Sequence, residues 1–564
     1  MIQSIERPRP EAPLSATVLD VKGLRVAYLA ASSFRIAVEG ADFRIGTGEV
    51  VAIVGESGSG KSTIAQAIMG LLPTSGIVEA GSILVNGQDI VRWPDRRLQA
   101  MRGAVVSLVP QDPGNSLNPV KTIGKQVAEI LAIHQGATGP VAYAQAISLL
   151  ERVGLDQPRL RAQQYPHELS GGMKQRALIA IAIALRPALI IADEPTSALD
   201  VTVQRHILDL IDDLRREFGT SVLLITHDLG IAADRADRII VMRRGVIEEQ
   251  GRAADILKHP ANPYTKQLFA DAPSLGSPTA RALPSPAFAP ARATDAIIRV
   301  EGLTQNFRLA GKNADFRAVD DVSFDVARGT THALVGESGS GKTTTIRIIT
   351  GFQKPTAGRV VIDAQDISEL HGEALRQFRR KIQLVYQNPF ASLDPRQSVF
   401  DIIEEPLLNF EAVRKEQRAA KVAGLIQQVG LPADVAQRRP HALSGGQRQR
   451  VAIARALVLD PEILVLDEAV SALDVTIQAQ ILSLLDVLQR DLGLTYLFVS
   501  HDLSVVRQIA DTVSVLHGGK LVESGPVEQV FGRPASAYTR ELIAAIPGRR
   551  HQLPGVPGAN SGAG

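Results

Sequence analysis

Two nine-residue stretches of this 564-residue chain carry the residue types that hold phosphate groups. They read GESGSGKST over 55–63 and GESGSGKTT over 336–344, and each follows an apolar run. In the pattern G-x-x-x-x-G-K-[ST], the glycines let backbone N–H groups curl around phosphates, and the lysine (Lys61 or Lys342) reaches the β- and γ-phosphates. The hydroxyl that follows the lysine can ligate Mg²⁺. A single match could be an ordinary glycine-rich turn, but two matches favour a pair of phosphate-binding loops.

An acidic pair and a histidine follow each loop at matching distances. The pairs end apolar runs, where the Asp can hold the Mg²⁺ shell while the Glu polarises an attacking water. Each histidine follows its Asp at the same separation (193 to 227 and 467 to 501) and can contact the γ-phosphate. The alternatives are a helix-capping Asp beside a solvated Glu, and a structural histidine at a strand end. The catalytic candidates are Glu194, His227, Glu468 and His501, and the acidic metal ligands are Asp193 and Asp467.

The chain is an internal duplication. LSGG occurs at Leu169–Gly172 and again at Leu443–Gly446, and SALDVT and HDL recur with the same offset. The offset between the two lysines (61 to 342) is slightly larger than that between the two LSGG motifs (169 to 443). The repeats therefore differ a little in length between the glycine-rich loop and LSGG. Because so many patterns otherwise keep one spacing, whole domains are duplicated.

The elements that position these residues alternate between strand and helix, which predicts an α/β core with a mostly parallel sheet. A Ser hydroxyl and glycine N–H groups in each LSGG form a second anion cradle at the start of a helix, expected from Met173 and from Gln447 onward. The predicted strands are Val18–Tyr28, Val50–Val54, Leu189–Ala192, Val222–Thr226, Ile297–Phe307, His332–Val335, Ile463–Leu466 and Tyr496–Ser500. The predicted domains are 17–270 and 297–548, with an N-terminal extension at 1–16, a Pro/Ala-rich linker at 271–296 and a flexible tail at 549–564.

Composition excludes several classes of protein. Charge is nearly balanced at 61 Lys+Arg against 59 Asp+Glu, so no bulk field favours nucleic acid or anionic lipid. The chain has no cysteine, which excludes disulfides, thiol catalysis and Cys-ligated metal centres. Its N-terminus lacks the apolar region of a signal peptide. The most apolar stretch, Ala177–Leu185, is far shorter than the roughly 20 residues of a membrane span, so we expect any pore to be formed by other subunits.

The loops, acidic pairs, LSGG, SALD and the terminal histidines together resemble the ATP-binding cassette (ABC) family. The resemblance implies two tandem P-loop NTPase nucleotide-binding domains, each with an antiparallel β subdomain and a helical subdomain. In that family two cassettes pair head to tail, here within one chain, and the LSGG of one completes the ATP site of the other. Site one would then combine Lys61, Ser62, Asp193, Glu194 and His227 with Ser444 and Gly446. Site two would combine Lys342, Thr343, Asp467, Glu468 and His501 with Ser170 and Gly172.

The resemblance also implies further contacts to the nucleotide. Gln111 and Gln387 match the family's Q-loop, which senses the γ-phosphate and contacts the transmembrane partner. Tyr28 and Phe307 fall where the family stacks an aromatic ring on adenine, with ordinary strand packing as the alternative. The implied ATP-binding residues are Tyr28, Gly55, Ser57, Gly58, Gly60, Lys61, Ser62, Thr63, Gln111, Ser170, Gly171, Gly172, Phe307, Gly336, Ser338, Gly339, Gly341, Lys342, Thr343, Thr344, Gln387, Ser444, Gly445 and Gly446. The implied Mg²⁺ ligands, partly through water, are Ser62, Gln111, Asp193, Thr343, Gln387 and Asp467.

A narrower resemblance is to the dipeptide/oligopeptide importer ATPases. It is carried by QDPGNSLNP, YPHELSGGMKQRALIAIAIA, DEPTSALDVTVQ and HPANPYTKQL, and by matching tails at Asn262–Thr265 and Ala537–Thr539. It implies an ATP- and Mg²⁺-dependent motor at the cytoplasmic face of the inner membrane, working with two permease subunits and an extracytoplasmic substrate-binding protein and without nucleic acid. Some members bind an iron–sulfur cluster through cysteines, which this chain lacks. The cargo stays open among dipeptides, oligopeptides, glutathione, haem and nickel chelates.

A second class stays open at this point, the soluble tandem-cassette ATPases that act on the ribosome or on DNA. The ribosomal factors carry a long charged helical linker and the DNA-repair ATPases carry zinc cysteines. The 271–296 segment is short and Pro-rich and the chain has no cysteine, so the sequence favours an importer.

Two differences between the repeats predict unequal sites. The first repeat has LSGGM and DEPTSALD, whereas the second has LSGGQ and DEAVSALD. Pro195 fixes the backbone after Glu194, while Ala469 leaves it freer after Glu468. Met173 also lacks the amide of a Gln. We therefore expect the site containing Lys342 to be the slower one.

Overall fold

The computed structural model describes residues 17–30, 33–197, 199–275, 296–308, 315–410, 414–471 and 473–548. These residues form two compact units. The first unit contains the described residues of Met1–Leu199 and Val203–Phe269, and the second contains those of Asp200–Thr202 and Ala270–Gly564. The predicted N-terminal extension, the predicted tail and most of the predicted linker lie outside the described residues.

Strands and helices alternate through the first repeat. The strands are β1 Thr17–Ala30, β2 Ser33–Gly46, β3 Val50–Val54, β4 Gly76–Val85, β5 Gln88–Asp89, β6 Val106–Val109, β7 Leu189–Asp193, β8 Ser221–Ile225, β9 Arg238–Arg243 and β10 Val246–Arg252. The helices are α1 Lys61–Met69, α2 Asp95–Met101, α3 Pro113–Ser116, α4 Ile123–Gln135, α5 Gly139–Arg152, α6 Pro158–Gln163, α7 Gly171–Ile183, α8 Val201–Phe218, α9 Leu229–Arg235, α10 Ala253–Lys258 and α11 Pro263–Asp271.

The second repeat has the same order of elements. Its strands are β11 Ala296–Arg308, β12 Asp315–Ala327, β13 Thr331–Val335, β14 Ala357–Ile362, β15 Gln365–Asp366, β16 Ile382–Val385, β17 Ile463–Asp467, β18 Thr495–Ser500, β19 Thr512–His517 and β20 Lys520–Pro526. Its helices are α12 Lys342–Ile349, α13 Gly372–Lys381, α14 Pro389–Ser392, α15 Val399–Phe410, α16 Lys415–Gln428, α17 Gly445–Leu457, α18 Val475–Leu492, α19 Leu503–Ile509, α20 Val527–Gly532 and α21 Ala537–Ala544. None of the helices in the described ranges is long and apolar enough to cross a bilayer.

A six-stranded sheet forms the centre of each unit. The strand order is β10-β9-β3-β8-β7-β6 in the first and β20-β19-β13-β18-β17-β16 in the second. Neighbouring strands are parallel except for the antiparallel pair at one edge, β9 with β10 and β19 with β20. Strands β3, β8, β13 and β18 are buried along their whole length, as expected for a sheet covered on both faces. The predicted α/β core is confirmed.

An antiparallel sheet and a helical group complete each unit. The antiparallel sheets have the orders β2-β1-β4-β5 and β12-β11-β14-β15. Helices α4 to α7, which lie between β6 and β7 in the sequence, pack on one another. Helices α15 to α17, which lie between β16 and β17 in the sequence, do the same. The two subdomains that the ABC resemblance implied are therefore present in both units.

The helix after each LSGG starts earlier than the sequence predicted. We expected Met173 and Gln447, but α7 begins at Gly171 and α17 at Gly445. The prediction was wrong because glycine disfavours a helix interior, whereas a first-turn glycine behind a good cap is tolerated. Each LSGG serine is that cap, and its hydroxyl accepts a hydrogen bond at 3.3 Å from the N–H three residues later.

Candidate nucleotide-hydrolysis sites

The glycine-rich loops begin in close contact with a neighbouring strand. Gly55 has φ 145° and Gly336 has φ 148°, in a region that favours glycine. A Cβ at Gly55 would lie 2.1 Å from the carbonyl oxygen of Met242, and one at Gly336 would lie 2.2 Å from that of Leu516. Only glycine therefore fits at the start of each loop.

Each loop lysine is held above its own loop. Lys61 opens α1, is buried, and donates from Nζ to the carbonyl oxygens of Gly55 and Glu56 at 2.7 and 2.8 Å. Lys342 opens α12 and makes the same two bonds in the second loop, at 2.6 and 2.9 Å. Burial lowers the pKa of Lys342. Each ammonium group therefore lies against the carbonyl oxygens at the start of its own loop.

The Asp of each acidic pair is the last residue of its strand, β7 or β17. Asp193 accepts a hydrogen bond from the Ser62 hydroxyl at 3.3 Å. Burial raises the pKa of Asp193, and the Ser62 bond opposes the rise. Burial, followed by the charge of Glu468, raises the pKa of Asp467 to about 6. A divalent cation bound at either aspartate would lower the pKa of that carboxyl group, because it stabilises the ionised carboxylate.

The glutamates after these strands have a strained backbone. Glu194 has φ 46° and Glu468 has φ 47°, a left-handed conformation that is rare for side chains other than Asn and Asp. Their N–H groups donate to the carbonyl oxygens of Ile225 and Val499 at 2.8 and 2.9 Å. The neighbouring strand therefore stabilises a turn that aims each glutamate at the loop.

Each glutamate lies between an amide and an imidazole. Gln111 donates from Nε2 to Glu194 at 2.6 Å, and His227 Nδ1 lies 3.2 Å from the same carboxylate. Gln387 and His501 surround Glu468 at 2.7 and 3.2 Å. The structure thus brings the predicted Q-loop, acidic pair and histidine together within each unit.

The charges within each cluster favour an ionised glutamate. Burial opposes ionisation of Glu194, but the bond to His227, its charge and Lys61 outweigh it, so the pKa lies below the ordinary value. Glu468 has a lowered pKa for the same reasons. Burial alone would lower the pKa of each histidine. The hydrogen bond and the charge of the paired glutamate outweigh burial, so the pKa of each histidine lies above its ordinary value. Within each pair these shifts favour an ionised carboxylate beside a protonated imidazole.

The predicted adenine-stacking residues differ between the units. The Tyr28 hydroxyl lies 3.2 Å from that of Thr63, at the end of the first loop. Phe307 has no hydroxyl and is 40% exposed. Stacking on adenine stays a prediction for both side chains.

The LSGG residues form the start of one helix in each unit. Ser170, Gly171 and Gly172 stand at the start of α7, as their counterparts do at the start of α17. Among the residues that the structure describes, Ser170 and Ser444 make hydrogen bonds only at their own helix starts. Their assignment to the site of the other repeat stays a prediction.

The aspartate after each candidate catalytic histidine was missed as a functional residue, although HDL recurs in both repeats. Asp228 caps α9 by accepting from the N–H groups of Gly230 and Ile231 at 2.8 and 3.2 Å. Asp502 caps α19 in the same way. Because the cap fixes the turn that carries the histidine, it also sets where the imidazole points.

The residues present fit ATP and Mg²⁺, the cofactors that this fold implies. Each loop crowds its first glycine, holds a buried lysine against its own carbonyl oxygens, and leads into a helix N-terminus without a side-chain cap. Ser62 and Asp193 already lie within hydrogen-bond distance, as two ligands of one cation would. The chain has no cysteine, so a Cys-ligated iron–sulfur cluster is excluded.

Comparison with known proteins agrees with this geometry. Residues 38–197 and 319–471 match the family model for the ABC transporter, and residues 248–296 and 522–561 match that for the oligopeptide/dipeptide transporter C-terminal region. The glutathione import ATP-binding protein GsiA of Salmonella paratyphi A is 42% identical over 94% of this chain and 90% of its own length. That of Pectobacterium atrosepticum is 43% identical over 94% of this chain and 89% of its own length.

A solved structure also aligns with part of the chain. It is a dimeric post-hydrolysis state of the ATP-binding cassette MJ0796 bound to ADP and Pi, with 31% identity over 41% of this chain and 98% of that one, at a TM-score of 0.38. The curated relatives favour the importer ATPases over the ribosomal and DNA-acting classes. The chain therefore belongs to the ABC transporter family, as a tandem-cassette ATPase of the oligopeptide/dipeptide importer type.

Proposed function

We propose that this chain hydrolyses ATP at its two clusters to power the uptake of glutathione or similarly short peptides. The relatives that match almost the whole chain are named as glutathione import ATP-binding proteins. The C-terminal region of each repeat matches an oligopeptide/dipeptide transporter model. Glutathione is itself a tripeptide, so both observations support one class of cargo.

The observation that carries the proposed chemistry is the pair of intact clusters. Bound Mg–ATP would supply the phosphoanhydride bond, and the loop N–H groups with Lys61 or Lys342 would hold its phosphates. Ser62 with Asp193, and Thr343 with Asp467, would hold the cation, with Gln111 and Gln387 taking part through water. Glu194 and Glu468 would orient the attacking water and accept its proton. Each histidine would keep its glutamate in place and contact the γ-phosphate.

We further propose, on the family resemblance, that the LSGG of each repeat completes the site of the other. Ser444 would then act at the site of Lys61, although the two residues belong to different repeats. A Ser444→Arg variant should block hydrolysis at the site of Lys61, because a bulky cation replaces a hydroxyl in an anion cradle. Nucleotide trapping followed by proteolysis would show which repeat holds the trapped nucleotide. Trapping unchanged in the first repeat, or an isolated first repeat as active as the full chain at high dilution, would contradict the shared site.

As an ATP-binding import subunit, the chain works with membrane permease components. We propose two permease subunits, an extracytoplasmic substrate-binding protein and a position at the cytoplasmic face of the inner membrane. Closure of the repeats around nucleotide would move permease segments seated near Gln111 and Gln387, which couples hydrolysis to alternating access. Co-purification of two multi-spanning proteins with the tagged chain is the expected result. Recovery of ribosomal proteins or DNA in their place would contradict this part of the proposal.

Uptake by whole cells tests the cargo. A strain that lacks this chain should lose uptake of labelled glutathione, and the wild-type gene should restore it. The Glu194→Gln, Glu468→Gln double variant should not restore it at an equal amount of protein. Loss of labelled dipeptide uptake with intact glutathione uptake would overturn glutathione as the cargo and keep peptide import. Normal uptake of both would overturn the import role.

A further inference from the structure

The C-terminal helix of each unit places a tyrosine beside the glycine-rich loop. Tyr538, in α21, accepts a hydrogen bond through its hydroxyl from the Glu337 N–H at 3.3 Å. Tyr264 occupies the matching place in α11 and is only 8% exposed. Burial, followed by the charge of Glu56, raises the pKa of Tyr264 to about 12, but its buried hydroxyl has no hydrogen-bond partner among the described residues. The tyrosines stand at positions 264 and 538, with the same offset as the two LSGG motifs.

A carboxylate on the preceding strand anchors each of these helices. Glu249, in β10, accepts from the N–H groups of Ala261 and Asn262 at 2.9 and 3.1 Å, just before α11. Glu523, in β20, binds two N–H groups before α21 at 2.8 and 3.0 Å. A carboxylate satisfies the unpaired donors at a helix start and favours the positive end of its dipole. These hydrogen bonds therefore fix the start of the helix that carries each tyrosine.

The strand that crowds the loop also packs against the tyrosine ring. The Arg243 guanidinium lies 4.6 Å from the centroid of the Tyr264 ring. His517 occupies the same position in the second unit, with its ring centroid 4.0 Å from that of Tyr538. Arg243 and His517 directly follow the residues whose carbonyl groups abut the first glycine of each loop. The start of the loop thus lies between this strand and the C-terminal helix.

One loop residue, Glu337, connects the tyrosine to the loop lysine. Glu337 donates its N–H to Tyr538, and its carbonyl oxygen accepts from Lys342 Nζ at 2.9 Å. In the first unit the Glu56 carbonyl oxygen accepts from Lys61 at 2.8 Å. A shift of this residue would therefore move a hydrogen-bond partner of the ammonium group that faces the phosphates.

We infer that Tyr538 is a positioning residue for ATP hydrolysis, through which the C-terminal region of the second unit holds the start of its phosphate-binding loop. The inference rests on the proposed function, since it assigns the loops to ATP. It gives the oligopeptide/dipeptide-type C-terminal region a role inside the ATPase. Tyr538 acts through the loop and does not touch the reacting atoms.

The Tyr538→Phe variant of the full chain tests the inference, because it keeps the ring and removes the hydroxyl. A loop that binds phosphates in both the ground state and the transition state should lose affinity in both. We therefore expect the KM for Mg–ATP to rise about threefold to tenfold, with kcat within about twofold of wild type. A fluorescent ATP analogue should show the matching loss of affinity. Tyr264→Phe should shift KM less, because the Tyr264 hydroxyl makes no hydrogen bond among the described residues.

The matched control is Tyr496→Phe in the same unit. Tyr496 is fully buried and donates to the Leu485 carbonyl oxygen at 2.8 Å, away from the loop. It should lower the unfolding temperature and leave the KM unchanged. A KM within twofold of wild type in Tyr538→Phe, or an equal rise in Tyr496→Phe, would overturn the inference. The proposed function would fail differently, through wild-type turnover in the Glu194→Gln, Glu468→Gln double variant.

Discussion

The two units hold the same reactive side chains at almost the same distances, but the residues that support them differ. The glutamine amide lies 2.6 Å from the Glu194 carboxylate in the first unit and 2.7 Å from the Glu468 carboxylate in the second, and the imidazole lies at 3.2 Å in both. The backbone φ of Glu194 and Glu468 is nearly identical, 46° against 47°. The comparison teaches that the duplication preserved the geometry of the chemistry and let the surrounding contacts diverge.

The differences lie at a helix cap and in the core. In the second unit the Gln447 side chain accepts from the Ser444 N–H at 3.0 Å, which completes a capping box. Met173, at the matching position, has no side-chain acceptor of this kind. The second unit also buries His332 on β13, where the first has Val51 on β3. Any difference in hydrolysis rate between the two sites should therefore come from the surrounding residues, because both sites keep the same candidate catalytic groups.

The largest expected effect comes from removing one of the two proposed catalytic carboxylates at a time. Glu194→Gln and Glu468→Gln should each reduce hydrolysis at the affected site by about 10²- to 10⁴-fold, because the group that accepts the proton is lost. We expect the variant that retains Glu194 to keep more activity, since Pro195 stiffens the backbone that holds it and its proposed partner LSGG has the capping box. Steady-state hydrolysis of both variants with permease present checks this. The reverse ranking would refute the asymmetry and leave the family assignment intact.

Much of this comparison could be predicted from the sequence, because the loops, acidic pairs and histidines are short patterns at fixed spacing. The predicted strand Val50–Val54 matches β3, since a buried parallel strand is a continuous apolar run. The left-handed backbone of Glu194 has no sequence signal, because the neighbouring strand imposes it through a hydrogen bond. The contact between Tyr538 and Glu337 joins residues 201 positions apart and follows only from the tertiary fold.

The next largest expected effect is a difference between the two units in how their stability depends on pH. His332 is buried, with hydroxyls at 2.8 and 3.0 Å from its ring nitrogens, and burial lowers its pKa from 6.5 to about 4. The unfolded chain therefore binds a proton more readily, so the stability of the second unit should fall by up to about 3 kcal/mol as pH drops from 6.5 to 4. Urea unfolding resolved by amide exchange and mass spectrometry can follow β13 and β3 separately.

The control for this effect is His332→Val, which installs the residue of the first unit. The variant should flatten the pH dependence of the second unit, whatever its effect on stability at neutral pH. An unchanged slope would show that another group controls the acid response.

A smaller effect on stability should follow from exchanging Met173 and Gln447, the residues that directly follow LSGG in the two repeats. Gln447→Met should cost about 0.5–1 kcal/mol in the free energy of unfolding, because the Ser444 N–H loses its acceptor. Met173→Gln should gain a comparable amount in the first unit. Denaturant unfolding of the two reciprocal variants measures both changes. If both variants lost the same free energy of unfolding, Met173 would suit the first unit as well as Gln447 suits the second.

The smallest effect should come from an ion-pair network present in the second unit. Arg328 lies 2.7 Å from Asp363 and 2.8 Å from Glu462, and Lys381 joins both carboxylates. The first unit has Thr47, Asn86, Ala188 and Val105 at these positions. The four side chains are 39–50% exposed, so Arg328→Ala should cost less than about 1 kcal/mol, and the cost should shrink in high salt. A larger loss that does not depend on salt would show that Arg328 acts through packing.

The most direct test of the central claim compares turnover with nucleotide binding in the Glu194→Gln, Glu468→Gln double variant. The account predicts that steady-state hydrolysis by the full chain falls to background while Mg–ATP binds with wild-type affinity, because the loops and both lysines are intact. Turnover near wild type in the double variant would contradict the claim that these two carboxylates drive hydrolysis.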